Sequence, residues 1–241
     1  MSEWSPIAAD WRELWGGFAE PVQREIIAAA AIGEGTRVLD VGCGSGEFLA
    51  ILSEAGAIPT GLDPAEGMVA LAAEHGDAVV GEAERLPFDT ASFDVVTAVN
   101  AFQFADDPVD ALAEFARVLV PGGLIVIANW AEAAQNDIDT IERALTDDDD
   151  DDESESKLRL PGGQQELLES FGLDVVTTGL VAAPWHAPDD DILVRGVLLG
   201  EDADAQQRLA ATVREAATPY RTATGGYELA NALRYAIARV S

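Results

Sequence analysis

The chain has 241 residues, 48% of them hydrophobic, enough for one large α/β domain or two small ones; a single domain is expected. It carries 44 acidic against 14 basic residues, a formal net charge of -30, and its only lysine is Lys157. Nucleic acids and anionic membranes are held by lysine and arginine that neutralise phosphate, so this balance argues against both as partners.

No apolar run approaches the roughly 20 residues that span a bilayer. The N-terminus also lacks a basic segment followed by an apolar one, so a soluble, cytoplasmic protein without membrane insertion is expected. Cys43 is the only cysteine, which leaves no internal disulfide and no cysteine-based metal site and suits a reducing compartment; no metal is expected. The acids are spread over the whole chain, as in acid-rich, lysine-poor sequences of salt-adapted organisms. Molar KCl screens their mutual repulsion, so the melting temperature is expected to rise with added salt. A thermal scan in which it falls or stays flat contradicts that reading.

In chain order, apolar residues from Trp4 to Phe18 recur at helical spacing, with Trp4, Trp11 and Trp15 on one face. Gly16 and Gly17 interrupt this helix, and Pro21 opens a second one through Val22, Ile26 and Ile27 to about Ala31. The tryptophans are either packing anchors or part of a lid over a substrate pocket.

Val38 to Val41 read as a buried strand. The turn D-x-G-x-G-x-G, Asp40 to Gly46, then feeds an amphipathic helix whose inner face is Phe48, Leu49, Leu52 and Ala55 and which Gly56 stops. A strand, a glycine turn and a helix make a ligand cradle, because bare backbone admits the ligand and free N–H groups of the first helical turn face it. IPTGLD, Ile58 to Asp63, is a second strand ending in an acid. Asp63 follows Asp40 at close to the roughly 20-residue offset at which a carboxylate meets a ribose diol. Pro64 starts the next helix, Ala65 to about His75, where His75 suits the C-terminal dipole.

Ala78 to Phe88 form a short strand, an acidic turn and a Leu-Pro-Phe anchor. Ser92 to Phe104 read as one near-continuous buried strand, Val109, Leu112, Ala116 and Leu119 as a helix, Pro121-Gly122-Gly123 as a turn, and Leu124 to Asn129 as another buried strand. Strand and helix alternate over residues 36–130, the signature of right-handed crossovers and a parallel, doubly wound sheet.

The pattern loosens after Trp130. Asp147 to Asp152, with Glu153 and Glu155, self-repel and read as a solvated loop over residues 146–156. A calcium loop begun at Asp147 would need glycine and glutamate where Asp152 and Leu158 stand. A helix from about Gly163 to Ser170, a strand near Leu173 to Val181, helical stretches at Ile192–Leu199 and Ala205–Ala217, and a closing strand within Tyr227–Val240 follow.

Two ligand classes compete for the cradle. A dinucleotide fingerprint requires glycine at position 47, where Glu47 would instead place a negative charge beside a pyrophosphate. A ligand with a cationic end fits better, and S-adenosylmethionine has one.

The segments VLDVGCGSG, GLDPAEGMV, GEAERLPF, FDVVTAVNAFQF and RVLVPGGLIVIANW, in this order within residues 37–130, resemble the class I S-adenosylmethionine-dependent methyltransferases. Within that family they are most similar to the ubiquinone/menaquinone-biosynthesis type. The resemblance implies an α/β, Rossmann-like, doubly wound and mostly parallel seven-stranded sheet with an antiparallel last strand and a helical cap. It implies one domain over residues 1–241, with a cap at 1–34, a cofactor core at 35–130 and a substrate side at 131–241. Within the last part, a helical insert at about 188–220 would cover the pocket.

The same resemblance puts Asp40, Gly42 and Gly44 at the methionyl part of the cofactor, Asp63 on the ribose hydroxyls and Met68 beside the adenine. Glu82 would accept from the adenine amino group, the Ala83 N–H would meet the ring, and Asn100 would offer its carbonyl to the ammonium, with Cys43, Pro64 and Glu84 alongside. APW at 183–185, LVRGVLL at 193–199 and YELANALRYAIAR at 227–239 look like a less characterised bacterial and archaeal branch.

The activity implied is methyl transfer to a small organic acceptor. The rivals are a nicotinamide-dependent oxidoreductase and a non-catalytic S-adenosylmethionine-binding protein. Of the two histidines, His186 is the candidate general base, unless it is simply a packed or surface residue, and Tyr227, Tyr235 and Asn129 are further candidates for substrate hydrogen bonding.

Overall fold

The computed structural model describes residues 4–146 and 156–241, so the hexa-aspartate run and the two glutamates after it lie outside the described residues. Helices α1 (Ala8–Trp15) and α2 (Glu20–Ala29) lead into β1 (Arg37–Val41), α3 (Glu47–Glu54), β2 (Ile58–Asp63), α4 (Glu66–Ala72), β3 (Asp77–Val80), β4 (Phe93–Val99), α5 (Pro108–Val118) and β5 (Leu119–Trp130). The second half contains α6 (Asp137–Arg143), α7 (Gly163–Ser170), β6 (Asp174–Ala182), β7 (Trp185–Ala187), α8 (Asp190–Val197), α9 (Ala203–Ala216), β8 (Tyr227–Leu229) and β9 (Ala232–Arg239).

Seven strands form one sheet in the order β3-β2-β1-β4-β5-β9-β6. The pairs among β3, β2, β1, β4 and β5 are parallel, and β9 runs antiparallel to both β5 and β6. Strand order reverses between β1 and β4, and open α/β sheets take their ligands outside the carboxyl ends of the strands at such a reversal.

The alternation of strand side chains divides the interior into two layers. Val38, Val95, Val126 and Ile237 pack with α2, α3, α8 and α9 on one face, whereas Leu39, Val96, Ile125 and Ile127 pack with α5 and α7 on the other. Both faces being covered explains why these strands read as unbroken apolar runs. Three helices start on aspartate caps: Asp107 accepts from the Val109 and Asp110 N–H groups, Asp189 from Ile192 and Asp202 from Ala205.

Four sequence expectations change. The strand expected to reach Phe104 ends at Val99, because Asn100 takes a left-handed φ of 52° and Phe102–Phe104 coil into a 3-10 turn. Pro121-Gly122-Gly123 does not separate α5 from its strand; β5 already begins at Leu119, and Gly122, at φ 80°, lies within it where the pairing to β4 slips. Helix α4 ends at Ala72, and His75 sits in the turn after it, its N–H bonded to the Ala72 carbonyl. Helix α6 and the small β7–β8 sheet fall where periodicity was too short to register. Among the described residues, no helix is long and apolar enough to cross a membrane.

Candidate functional site

At the carboxyl ends of β1, β2 and β4 lies a cavity of about 670 Å³. Its floor is the glycine turn. Gly42, at φ 71°, lies so close to the next strand's exit that a Cβ would fall 2.3 Å from the Ala101 methyl group, so only glycine can stand there. The turn closes on itself: the Gly42 and Cys43 N–H groups donate to the Leu62 carbonyl at 2.7 and 3.0 Å, and Gly46 donates to Cys43 at 3.1 Å. Gly44 donates to Asp63 Oδ2 at 3.0 Å. The N–H groups of Gly42, Cys43, Gly44 and Gly46 are therefore used within the protein, leaving the first turn of α3, from Glu47, as the place where the expected donors stand.

What the cradle offers a ligand is acidity. Asp40 is 3% exposed and Asp63 is 7% exposed. Burial raises the Asp40 carboxyl most, the Thr97 hydroxyl that donates to its Oδ1 at 2.7 Å partly offsets this, and Asp63 adds repulsion, leaving it pushed up to about 7. Asp63 is likewise raised by burial, although the Ala65 and Gly44 N–H groups hold its carboxylate form. Beside them Ser45 donates to Glu47 at 2.8 Å. Buried carboxylates with no cation among them fit a ligand that brings positive charge. A pyrophosphate at this turn would meet the carboxyl groups of Asp40, Asp63 and Glu47.

The cavity is lined by every cofactor residue implied above: Asp40, Gly42, Cys43, Gly44, Asp63, Pro64, Met68, Glu82, Ala83, Glu84 and Asn100. Met68 packs with Ala8 and Ala65. Asn100 carries the left-handed backbone at the end of β4, its N–H bonded to Ala128 at 2.6 Å and its Oδ1 to Gln103 at 3.0 Å. Asparagine tolerates that conformation better than most residues, and such strain gathers at sites of function. Burial pushes the Cys43 thiol far above its usual range, so it is a small inert packing group of the turn.

Across from the cradle stands an aromatic wall. Phe18 stacks on Trp130 at 5.1 Å, and Trp15 stacks on Trp11 at 6.5 Å, all four lining the cavity. Trp15 is also fixed as an anchor by stacking on Trp185 at 4.6 Å and by its Nε1–H donating to the Gly196 carbonyl. The N-terminal tryptophans thus pack against one another and line the cavity. Gly196, Val197 and Leu199, from α8 and the residues after it, complete this side.

The structure does not bring His186 to this cavity. Strand alternation turns Trp185 and Ala187 inward and His186 outward, with its side chain 62% exposed and 3.8 Å from Glu228. Tyr227 is bonded to Asp190 and Arg221, and Tyr235 to Glu25, and neither lines the cavity. Asn129 bonds Gln103, which does line it. Sequence reasoning missed Asp139 and Glu142 of α6 and Arg159 beyond the acidic run. The available signal was the pair Ile138 and Ile141, one helical turn apart, with Asp137, Asp139 and Glu142 around it.

Residues 39–127 match the model of a family described as a methyltransferase domain. The demethylmenaquinone methyltransferase of Mycobacterium sp. (strain KMS) is 35% identical over 120 residues, covering 49% of this chain and 52% of that protein. The chain thus matches about half the length of such relatives. Among solved structures, the methyltransferase-fold chain in a complex with the Haloferax volcanii Trm112 methyltransferase activator aligns with a TM-score of 0.62 at 24% identity, over 100% of this chain and 98% of that one. A SAM-dependent methyltransferase from Aquifex aeolicus aligns with a TM-score of 0.56 at 20% identity, over 72% and 92%. At these identities the structural likeness speaks for the fold. Residues 39–127 thus match a methyltransferase domain, and they lie on a sheet with the strand order and the acidic cradle described above.

Proposed function

We propose that this chain transfers a methyl group from S-adenosylmethionine to a small organic acceptor. The observation that carries this is the pair of buried carboxyls, Asp40 and Asp63, beside a glycine turn whose Gly42, Cys43, Gly44 and Gly46 N–H groups are bonded inside the protein, which suits a cation and a diol better than phosphates. In this reading Asp63 accepts from the ribose hydroxyls, Glu82 and the Ala83 N–H meet the adenine with Met68 against it, and Asp40, Gly42, Gly44 and the Asn100 carbonyl border the methionyl end. Cys43, Pro64 and Glu84 complete the walls.

The bound cofactor supplies an already activated methyl on a sulfonium. The chain's own part is orientation and exclusion of water, which together are worth roughly 7 to 11 kcal/mol when two reactants are held in line. The aromatic wall of Trp11, Trp15, Phe18 and Trp130 performs the second task and favours a flat, apolar acceptor.

The cofactor test is a thermal shift against S-adenosylmethionine, its demethylated product and the nicotinamide dinucleotides, since a ligand of the folded state stabilises it by mass action. Stabilisation by the first two alone supports the reading, and stabilisation by a nicotinamide dinucleotide alone overturns it. Labelled methyl transfer to phenols, quinols and amines then separates an enzyme from a protein that only binds.

Asp40 makes binding pH-dependent. Its folded-state titration lies above the ordinary value of about 4, so its contribution to fold stability is fully present below about pH 4 and declines as pH rises toward about 7. A cation beside it favours the carboxylate, so cofactor binding is expected to release up to one proton below about pH 7 and to tighten as pH rises through that value. Calorimetry in two buffers of different ionisation enthalpy reads the proton directly; identical heats at pH 6.5, roughly the unperturbed histidine value, would contradict the coupling.

A further inference from the structure

Four of the polar side chains that line the cavity are at least nine-tenths buried among the described residues: Gln23, Asp40, Ser45 and Asp63. Three of them are engaged within the protein. Thr97 donates to Asp40, Ser45 donates to Glu47, and the Gly44 and Ala65 N–H groups donate to Asp63. Gln23 is the exception: it is 7% exposed, and its Oε1 is enclosed without a hydrogen-bond partner among the described residues. The Nε2 end is bonded to no described residue either and is not enclosed, so the amide turns its N–H groups to the cavity that Gln23 lines.

Packing of α2 gives no reason for an amide at this place. The buried face of the helix is Val22, Gln23 and Ile26, and the apolar cluster it joins takes in Trp15, Phe18 and Phe48. An apolar side chain would fill the position and leave no buried acceptor unpaired. A group kept in that destabilising state calls for a role, and the open side of this one is the cavity.

Resting on methyl transfer as the activity of this cavity, we propose that Gln23 determines acceptor specificity. Its Nε2 donates to an uncharged group of the methyl acceptor that has lone pairs and no proton of its own, a carbonyl oxygen or a ring nitrogen. The charges around the cavity select such a group. Eight carboxyl groups and Arg159 line it, and Arg159 is turned to both oxygens of Asp139, at 2.9 and 2.5 Å. Carboxylates accept hydrogen bonds and repel anions, so most of the wall is ill matched to a ligand's lone pairs. Other donors of the lining are engaged: Ser45 with Glu47, Gln103 Nε2 with Asn100, and Trp15 Nε1 with the Gly196 carbonyl. Gln23 stands one helical turn past Ala19, whose carbonyl its own backbone N–H meets at 3.0 Å, next to Phe18 of the aromatic wall. The acceptor's apolar body and its lone-pair group are thus met from one side. A site built to bond one polar group rejects the analogue that lacks it, because its own buried group is then left unpaired.

The experiment measures, by calorimetry with the cofactor product bound, the affinity of the full chain for three bicyclic probes of similar size: 1-indanone, which has a carbonyl, indole, which has an N–H, and indane, which has neither. Gln23→Met, which replaces the amide by an apolar chain of similar length, is measured alongside. Wild-type protein is expected to favour 1-indanone over each of the others by roughly 3- to 10-fold, the worth of one neutral hydrogen bond, and Gln23→Met to bind the three alike. Without ligand, Gln23→Met is expected to melt about 2 to 4 °C higher, since the unpaired buried oxygen is gone. Its affinity for the cofactor product is expected to stay unchanged. A purely structural glutamine gives the opposite signature, a lower melting temperature with the ranking of probes intact.

Wild-type protein that binds the three probes alike, or binds none of them, overturns the proposal, as does a ranking led by indole. A preference for 1-indanone that survives in Gln23→Met overturns the assignment to Gln23, and so does a variant that melts lower and loses the cofactor product. All of these outcomes leave methyl transfer standing. Wild-type protein that binds the cofactor product and methylates none of the phenols, quinols and amines overturns the methyltransferase reading itself, and the acceptor role of Gln23 with it.

Discussion

Asp63→Ala is expected to lower the affinity for S-adenosylmethionine by about 1 to 3 kcal/mol, roughly 5- to 150-fold, in a calorimetric titration. The side chain has two jobs that alanine cannot do. Its Oδ2 accepts from the Gly44 N–H at 3.0 Å and its Oδ1 from the Ala65 N–H at 2.9 Å, so it ties the glycine turn to the start of α4. In the proposed role its remaining lone pairs accept from a vicinal diol, and a diol left without its charged acceptor in a buried site would lose more than an ordinary hydrogen bond. Removing Asp63 also takes a repulsive charge from Asp40, so the Asp40 carboxyl should titrate lower and the pH dependence of binding should shift with it. Unchanged affinity and an unchanged pH profile would refute the assignment.

Trp185→Ala carries the largest expected cost in stability, about 3 to 5 kcal/mol in urea unfolding, as for other large aromatic residues truncated in a core. Trp185 is 4% exposed, lies flat against Trp15 at 4.6 Å and donates its Nε1–H to the Leu14 carbonyl at 2.7 Å. Helix α8 closes on its ring so tightly that a Cβ on Gly196 would lie 2.5 Å from it. One side chain thus ties α1 and α8 to the small β7–β8 sheet, and both helices carry cavity wall, so cofactor affinity should fall as well. His186→Gln is the internal control. Its exposed side chain makes only the 3.8 Å approach to exposed Glu228, and substitution is expected to move stability by less than about 0.5 kcal/mol and to leave turnover alone. A Trp185→Ala loss no larger than that control would remove the anchor role.

The parts of the site that were legible in the sequence are those built from local chain. Asp40, Gly42 and Gly44 sit on one strand and its turn, Asp63 on the next strand's end, and Glu82, Ala83 and Asn100 on the following two exits, so a parallel sheet with right-handed crossovers delivers all of them to one edge without further information. Periodicity was less informative where the strand was interrupted. Apolar content ran on through Phe104, and only the left-handed backbone of Asn100 ended β4 at Val99. Pro121-Gly122-Gly123 looked like a turn because Pro and Gly punctuate most sequences, but one glycine at positive φ also absorbs a slip in strand pairing.

His186 was misplaced for a different reason. Its proximity in sequence to Trp185 suggested proximity to the pocket, but in a strand neighbouring residues point to opposite sides, so a buried Trp185 requires an outward His186. Glu142 stood in a stretch too short and too polar to announce a helix, and only packing of α6 against α8 and α9 turns it toward the cavity.

By itself, then, the sequence determined the α/β class, the order of strands and helices through residue 130, and the glycine turn with its acids at the strand ends, because these depend on contacts between neighbours in the chain and on a handedness common to all such folds. Only the tertiary structure decided how the turn's N–H groups are used, which tryptophans line the cavity, and that α6 reaches it while His186 faces water. The placing of the tryptophans rests on contacts between distant segments, Trp15 with Gly196 and Trp185 with Leu14, for which the separations are 181 and 171 residues, whereas the turn's own bonds reach only 19 residues on, from Gly44 to Asp63. No local pattern encodes such pairings.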